Sequence, residues 1–391
     1  MNSLHTQPLI HAPIDTKIRL AILSTALVDA LGGPVEFRGR FSFPLVTTMI
    51  PNRTFGLQPG VWTDDTSMTL CLARSLATYK KTNDDSSERG GFNEEDQMEA
   101  YLSWYGRGVL SATGNCFDIG NTTRHALDTY ADEQDPKEAL KAIHKSLSAD
   151  RCGGNGSLMR VVPIGLAYWK DESAVVEYGR RSSATTHPNE LCMEVCAFWS
   201  SVIAKVMREN VKGGEFTKLD LLEYISAYPF QNSLLVKALT LPSALVGQIP
   251  KDSMIEREEY YRSHHPLLRI VIQTQSQSDT KPQPILPPVK DVPSSGYVFH
   301  TLTAALYCFF ATKSFEEGAV MVVNLGDDAD TVGAVYAGLA GTWYAHDANA
   351  DKDSLFWSER VWEWRSDLVK RDLVMEVAEE LVQFAARINK D

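Results

Sequence analysis

Gly326-Asp327-Asp328-Ala329-Asp330-Thr331 runs directly into Val332-Gly-Ala-Val-Tyr-Ala-Gly-Leu-Ala-Gly341. The second half is apolar, carries no turn signal, and reads as a helix over 331–345. Glycine costs a helix interior about 1 kcal/mol relative to alanine. The run of Gly333, Ala334, Ala337, Gly338, Ala340 and Gly341 therefore implies helix backbones in close approach at the centre of an all-α body. The first half opens that helix. One carboxylate at a helix N-terminus caps free amides and meets the positive end of the dipole. Asp327, Asp328 and Asp330 together exceed that need, because like charges repel and a cap uses only one.

Trp62-Thr63-Asp64-Asp65-Thr66 repeats the device. It precedes a helix over 66–79, with Met68, Cys71, Leu72, Ser75 and Leu76 along one stripe. A bound cation relieves the repulsion in both places. Aspartates with threonine hydroxyls form an all-oxygen donor set, which suits Mg²⁺ or Mn²⁺ rather than zinc or copper. Asp328 and Asp330, two apart, can point into one cavity, with Thr331 adding a neutral oxygen. Adding Asp64 and Asp65 gives carboxylates enough for two divalent cations. Capping plus surface charge is the competing reading. Neither cluster has the ligand spacing of an EF-hand.

Helical periodicity continues over 18–30, 94–105, 122–130, 136–147, 187–208, 219–228, 296–312, 314–322 and 372–389. Pro188 suits a first helical turn after a Thr-His cap. Residues 46–50 alternate enough for one short strand. The polar stretch 80–93 reads as a surface loop. The stretch 248–295, rich in Pro, Gln and Ser, reads as an extended insertion with little to bury. The expected layout is one unit over 15–391, interrupted at about 248–295 and preceded by a tail over 1–14.

Lys and Arg number 38 against 50 Asp and Glu, a net charge of −12, which argues against non-specific binding to nucleic acid or anionic membrane. The longest apolar run, 302–311, is too short for a membrane span, and the first fifteen residues lack the basic start and apolar core of a secretory signal. The six cysteines follow no disulfide or zinc-site spacing. Cys192 and Cys196, four apart, read as buried free thiols with a metal pair as the alternative. A reducing compartment, most simply the cytoplasm, follows. Nothing in the sequence reports an oligomeric state.

Three polar turns complete the inventory. Cys152-Gly-Gly-Asn-Gly-Ser157 is a flexible turn whose amides can face an anion; a plain turn is its simpler reading. It is neither a Walker A loop nor GxGxxG. Thr185-Thr186-His187-Pro188 places a histidine at a helix start, where caps are commoner than catalysts. Asn115-Cys-Phe-Asp-Ile-Gly-Asn-Thr-Thr123 is a glycine-bearing turn with Asn121 or Thr122 as its default cap.

Taken together, Asp29-Ala-Leu-Gly-Gly-Pro-Val-Glu36, Trp62–Thr66, Phe117-Asp-Ile-Gly120, Gly154-Asn-Gly-Ser157, Thr186-His187, Ser295-Gly-Tyr297 and Asn324–Thr331 resemble the ADP-ribosylglycohydrolase family, of the dinitrogenase-reductase-activating glycohydrolase type. They stand in the family's order. The resemblance implies a compact, nearly all-α fold with two divalent cations, Mg²⁺ or Mn²⁺, in a central cleft. It places metal ligands on Thr63, Asp64, Asp65, Asp328, Asp330 and Thr331. Where the family often has Gly-Gly before Asp-x-Asp-Thr, this chain has Gly326-Asp327. Glu36 matches a glutamate beside the metals.

The implied reaction is hydrolysis of the glycosidic bond between ADP-ribose and an acceptor. An ion-oriented water would attack C1″, with Asp64, Asp65 or Glu36 as base. Asn155, Gly156 and Ser157 would then hold the diphosphate. Asp118 and Gly120 would line the ribose side, His187 would sit near the ligand, and Tyr297 could stack on a ring. The substrate would be an ADP-ribosylated protein, arginine-linked by closest wording, or a small ADP-ribosyl derivative. Two alternatives stand beside this: a non-catalytic ADP-ribose binder or crystallin-like structural relative, and a two-metal phosphoesterase.

Overall fold

The computed structural model describes residues 3–80, 89–276, 284–346 and 354–390. Among them stand eighteen α-helices and no strand, so the fold is all-α as expected. Helix Ile14–Gly32 occupies the centre and runs antiparallel to helix Ala329–Tyr344, which is buried along its whole length. The small residues are the reason they can pair. A Cβ on Gly333 would lie 2.9 Å from Val28 Cγ1, and one on Gly341 would lie 3.1 Å from Ala21 Cα. Segment Ile14–Val35 is also long and apolar enough to cross a membrane, which the sequence reading, stopping at 302–311, passed over. Here 94% of its apolar window is buried inside the protein.

Two buried lysines close helix ends. Lys17 Nζ donates to the carbonyls of Thr342 (2.8 Å), Trp343 (3.3 Å) and Ile10. Lys218 Nζ donates to Thr312 O at 2.7 Å and to Phe309 O. Apart from that of Ile10, these carbonyls belong to the last turns of helices Ala329–Tyr344 and Val298–Ala311 or follow them, where a cation meets the negative end of the dipole.

Several expectations are corrected. The stretch 248–295 holds helices Met254–His264 and Pro266–Gln275, and it buries Leu267, Leu268, Val271, Ile285 and Val292. Its residues 277–283, and residues 81–88 of the expected surface loop, lie outside the described residues. No strand forms over 46–50; the Asn324 side chain accepts from Val46 N (2.8 Å) and donates to Val46 O (2.7 Å). Helix Glu190–Lys212 starts later than expected, because Asn189 rather than Thr186 or His187 caps it, with Pro188 before the cap. Gly120 stands at the cap position of helix Asn121–Asp132, without a side-chain cap.

Residues 3–12 are no loose tail. Leu4 and Leu9 are buried, and Glu258 accepts the backbone N–H groups of Leu4 and His5 at 2.9 Å each and the Ser3 hydroxyl at 2.8 Å. Burial alone would raise the Glu258 pKa, but the His5 and Leu4 amides, with Ser3 and Arg262, outweigh it and hold the group at about 2. A folded value below the ordinary 4.5 gives stability that is complete above pH 4.5 and is lost as pH falls towards 2. Glu258→Ala should therefore lower stability at neutral pH by about 1–3 kcal/mol, with faster hydrogen exchange confined to the first dozen residues. Its deficit against the native chain should shrink as the pH drops through that window. Unchanged exchange at Leu4 and His5 would contradict the clasp.

Candidate active site

Three helix N-termini meet at one cleft: Asp64–Thr78, Asn121–Asp132 and Ala329–Tyr344. Its cavity measures about 640 Å³, within the range of small-molecule sites. One wall is built on Asp29, at the end of the central helix. Asp29 accepts from Thr63 N (3.0 Å), Thr66 N (3.1 Å) and Thr66 Oγ1 (2.5 Å). Thr63 Oγ1 lies 3.0 Å from both Asp29 Oδ1 and Asp65 Oδ2, and its one hydrogen serves one of them at a time. These bonds pin the start of helix Asp64–Thr78 to the central helix. Asp29 carried no role in the sequence reading beyond its place in a motif; an aspartate ending an apolar helical stripe was the available signal.

The two acidic corners come together. Thr331 Oγ1 donates to Asp65 Oδ2 at 3.3 Å, across 266 positions of chain. Asp29, Asp65 and Asp330 each bring an oxygen within 4.8 Å of the others, and so do Glu36, Asp118 and Asp330. Asp330 belongs to both groups. Asp328 joins through Asn155, whose Nδ2 donates to Asp328 Oδ2 at 2.7 Å, and Asp64 lines the same cavity.

Burial and neighbouring carboxylates push the pKa values of Asp64, Asp65 and Asp330 well above the usual range. Glu36 is raised by burial first and then by Asp118, Asp328 and Asp64. Burial also lifts Asp118 to about 6, and lifts Asp29 to about 6 against the pull of its threonine partners. Glu36 Oε2, Asp65 Oδ1 and Asp330 Oδ2 are buried without any hydrogen-bond partner among the described residues. Buried, unpaired carboxylate oxygens cost several kcal/mol unless a cation meets them. Oxygen-only donors of this number fit hard divalent ions.

The opposite wall carries hydrogen-bond donors. Gly120, Asn121, Thr122 and Thr123 bring the uncapped start of helix Asn121–Asp132 to the cleft, and Arg124 is its cation. The amides of Gly156 and Ser157 meet no acceptor among the described residues. Helix Glu190–Lys212 supports this turn from behind. Cys192 Sγ donates to Gly154 O at 3.3 Å and Cys196 Sγ to Ser157 Oγ at 3.4 Å. The pair thus braces a loop as buried free thiols.

Three sequence expectations change here. Asn155 lines the cleft, but it spends its backbone N–H on Gly296 O and its amide on Asp328 and Thr301, so its donors orient an acid. The Ser157 hydroxyl turns inward, accepting from Ser183 Oγ at 2.8 Å. Tyr297 does not line the cavity; its ring covers Gly153 and meets His300 edge-on at 5.1 Å. Cleft-lining residues that sequence reasoning missed include Arg124 and the ring of Phe55, which rests on Phe117 with ring centroids 5.6 Å apart.

Asp327 stands in the left-handed region, with φ of 61°. The backbone requires it: Phe37 N donates to Asp327 O (2.7 Å) and Asp327 N donates to Arg38 O (2.8 Å). That conformation is where glycine is favoured, which explains the family's second glycine. Asp327 is exposed at the rim. Asp327→Gly should leave turnover unchanged and raise stability by up to about 1 kcal/mol in chemical denaturation. A large fall in turnover would show that the carboxylate itself serves the reaction.

The ADP-ribosylglycohydrolase family model matches residues 11–389. The chain is 27% identical to the ADP-ribosylarginine hydrolase Tri1 of Serratia proteamaculans (strain 568), covering 94% of this chain and 80% of that one. It is 25% identical to the ADP-ribosyl-[dinitrogen reductase] glycohydrolase of Rhodospirillum rubrum, covering 84% and 85%. A solved structure titled an ADP-ribosylglycohydrolase-related protein complex superposes with a TM-score of 0.60 at 30% identity, covering 95% of this chain and 99% of that one. The chain belongs to the ADP-ribosylglycohydrolase family. It is an enzyme, a hydrolase acting on glycosyl bonds to ADP-ribose.

Proposed function

We propose that the protein releases ADP-ribose from an arginine side chain, using two divalent cations, Mg²⁺ or Mn²⁺, held between the two acidic corners. The observation that carries this reading is the pair of three-carboxylate groups sharing Asp330, opposite a donor-lined wall in one cavity. The arginine acceptor is supported by the relatives named ADP-ribosylarginine hydrolase. Six free thiols support a reducing compartment such as the cytoplasm.

Thr63, Asp64, Asp65, Asp328, Asp330 and Thr331 would hold the ions, with Asp29 fixing the first corner from behind. Bound there, such ions lower the pKa of water and grip ribose hydroxyls. The protein's own groups do the rest. Asp65 spends Oδ2 on Thr63 and Thr331. Its Oδ1 has no partner among the described residues, so Asp64, Asp65 through Oδ1, and Glu36 are the cleft-lining carboxylates that would take the proton of the attacking water. The Gly156 amide, the uncapped amides after Gly120, and Arg124 would bind the diphosphate. Phe37 and Phe55 would form an apolar rim.

Incubation with Mg²⁺ or Mn²⁺ and peptides ADP-ribosylated on arginine or on serine, beside O-acetyl-ADP-ribose and a plain phosphoester, tests the reading. Free ADP-ribose should appear fastest from the arginine-linked peptide. Turnover of the phosphoester alone would replace this reading with the phosphoesterase one. Tight ADP-ribose binding with no turnover would make the chain a binder.

A further inference from the structure

Behind the donor-lined wall stands a chain of three buried side chains. Arg160 is completely buried, with its guanidinium 4.4 Å from the centre of the Tyr101 ring. Its NH2 donates to Thr186 Oγ1 at 2.6 Å. Thr186 Oγ1 in turn lies 2.8 Å from His187 Nδ1. An arginine only donates, so the threonine oxygen must accept from it. The single hydrogen of that hydroxyl then has one acceptor among its described partners, His187 Nδ1. An Nδ1 that accepts leaves the ring hydrogen on Nε2.

His187 Nε2 faces the glycine turn. It has no hydrogen-bond partner among the described residues, and the residue lines the cleft. Gly156 lies close beneath it: a Cβ there would sit 3.2 Å from Nε2 and 2.9 Å from Cε1. The Gly156 amide also lacks an acceptor. Two donors thus stand together in a pocket, one of them on a side chain that is only 2% exposed. Such a pair matches an oxygen that only accepts. Burial and the Arg160 charge push the imidazole pKa down to about 3, so the ring stays neutral and its single N–H must point the right way.

We propose that Arg160 and Thr186 are positioning residues that lock His187 as a neutral Nε2–H donor to a phosphate oxygen of the bound nucleoside diphosphate. The ligand rests on the proposed function above; the lock rests on the three side chains alone. Nε2–H supplies a hydrogen bond without a charge, which leaves the cations and Arg124 to balance the diphosphate. In the opposite tautomer, Nε2 would turn a lone pair towards that oxygen and repel it.

Histidine-selective ¹⁵N labelling of the full chain, with long-range ¹H–¹⁵N correlation at pH 7, reads the tautomer directly. His187→Gln identifies the signal by its loss. The expected signal is a neutral ring with the hydrogen on Nε2, kept in Thr186→Ser and converted to a mixture in Thr186→Val. An Nδ1–H ring or an imidazolium in the native chain overturns the lock, whether or not any variant folds. Calorimetry with ADP-ribose gives the second readout: Thr186→Val should weaken binding roughly tenfold, and Thr186→Ser should restore it. Unchanged affinity in Thr186→Val overturns the donor role. Failure of the native chain to bind ADP-ribose contradicts the proposed function, and with it this ligand, while leaving the tautomer result distinct.

Discussion

Replacing Asp330 with alanine should abolish hydrolysis while the chain stays folded. Among the described residues no other carboxylate belongs to both three-acid groups, and its Oδ2 is buried without a partner there. Losing a group that merely supports a ligand typically costs 10–100-fold. Asp330→Ala should exceed that, with kcat/KM falling by more than about 10³-fold and Mn²⁺ uptake falling in parallel. Its effect on stability has the opposite sign from most core truncations. Removing one buried carboxylate relieves repulsion from Asp65 and Glu36, so the metal-free variant should melt no lower than the metal-free native chain. A variant with native turnover, or one that unfolds, would contradict the assignment.

Gly32→Ala should cripple the same site from outside it. Gly32 is helical, so backbone freedom is not its role. Space is: a Cβ would lie 2.7 Å from Ala329 O and from the Cα and N of Asp330. Those are backbone atoms and cannot swing aside. Overpacking of this kind costs about 1–3 kcal/mol, and the strain falls at the start of the helix that carries Asp330. A displacement approaching 1 Å at a reacting group costs on the order of 10²-fold. The variant should therefore lose stability, cation affinity and turnover together. Gly39→Ala, with nothing within 4 Å of its Cβ position, is the matched control and should change none of them. Separation of these losses, with stability down and cation affinity native, would mean that the helix contact does not set the site.

Much of this was readable from the residues because the relevant physics is local. Excess carboxylates at a helix start violate a simple capping rule, and both violations mark the cleft. The small-residue run at 333–341 announced the close helix pair before its partner was known. What escaped is set by tertiary contact. Asn155 sits in a glycine turn that looks built for an anion, but its amide reaches Asp328, 173 positions away. Tyr297 is next to a cleft residue, and one step along the chain turned its ring onto Gly153 instead. The 254–275 helices were hidden by composition: a Pro-, Gln- and Ser-rich run follows them, and averaging over 248–295 diluted Leu267, Leu268 and Val271. The N-terminal tail looked free because its anchor, Glu258, lies inside that same stretch.

The claim beneath all of this is that Asp64–Asp65 and Asp328–Asp330 share bound cations. Anomalous diffraction from crystals grown with Mn²⁺ tests it most directly. Peaks should lie between Asp65 and Asp330, and they should be absent from Asp330→Ala crystals. Well-diffracting native crystals with no peak in the cleft, or with peaks only at surface carboxylates, would contradict it.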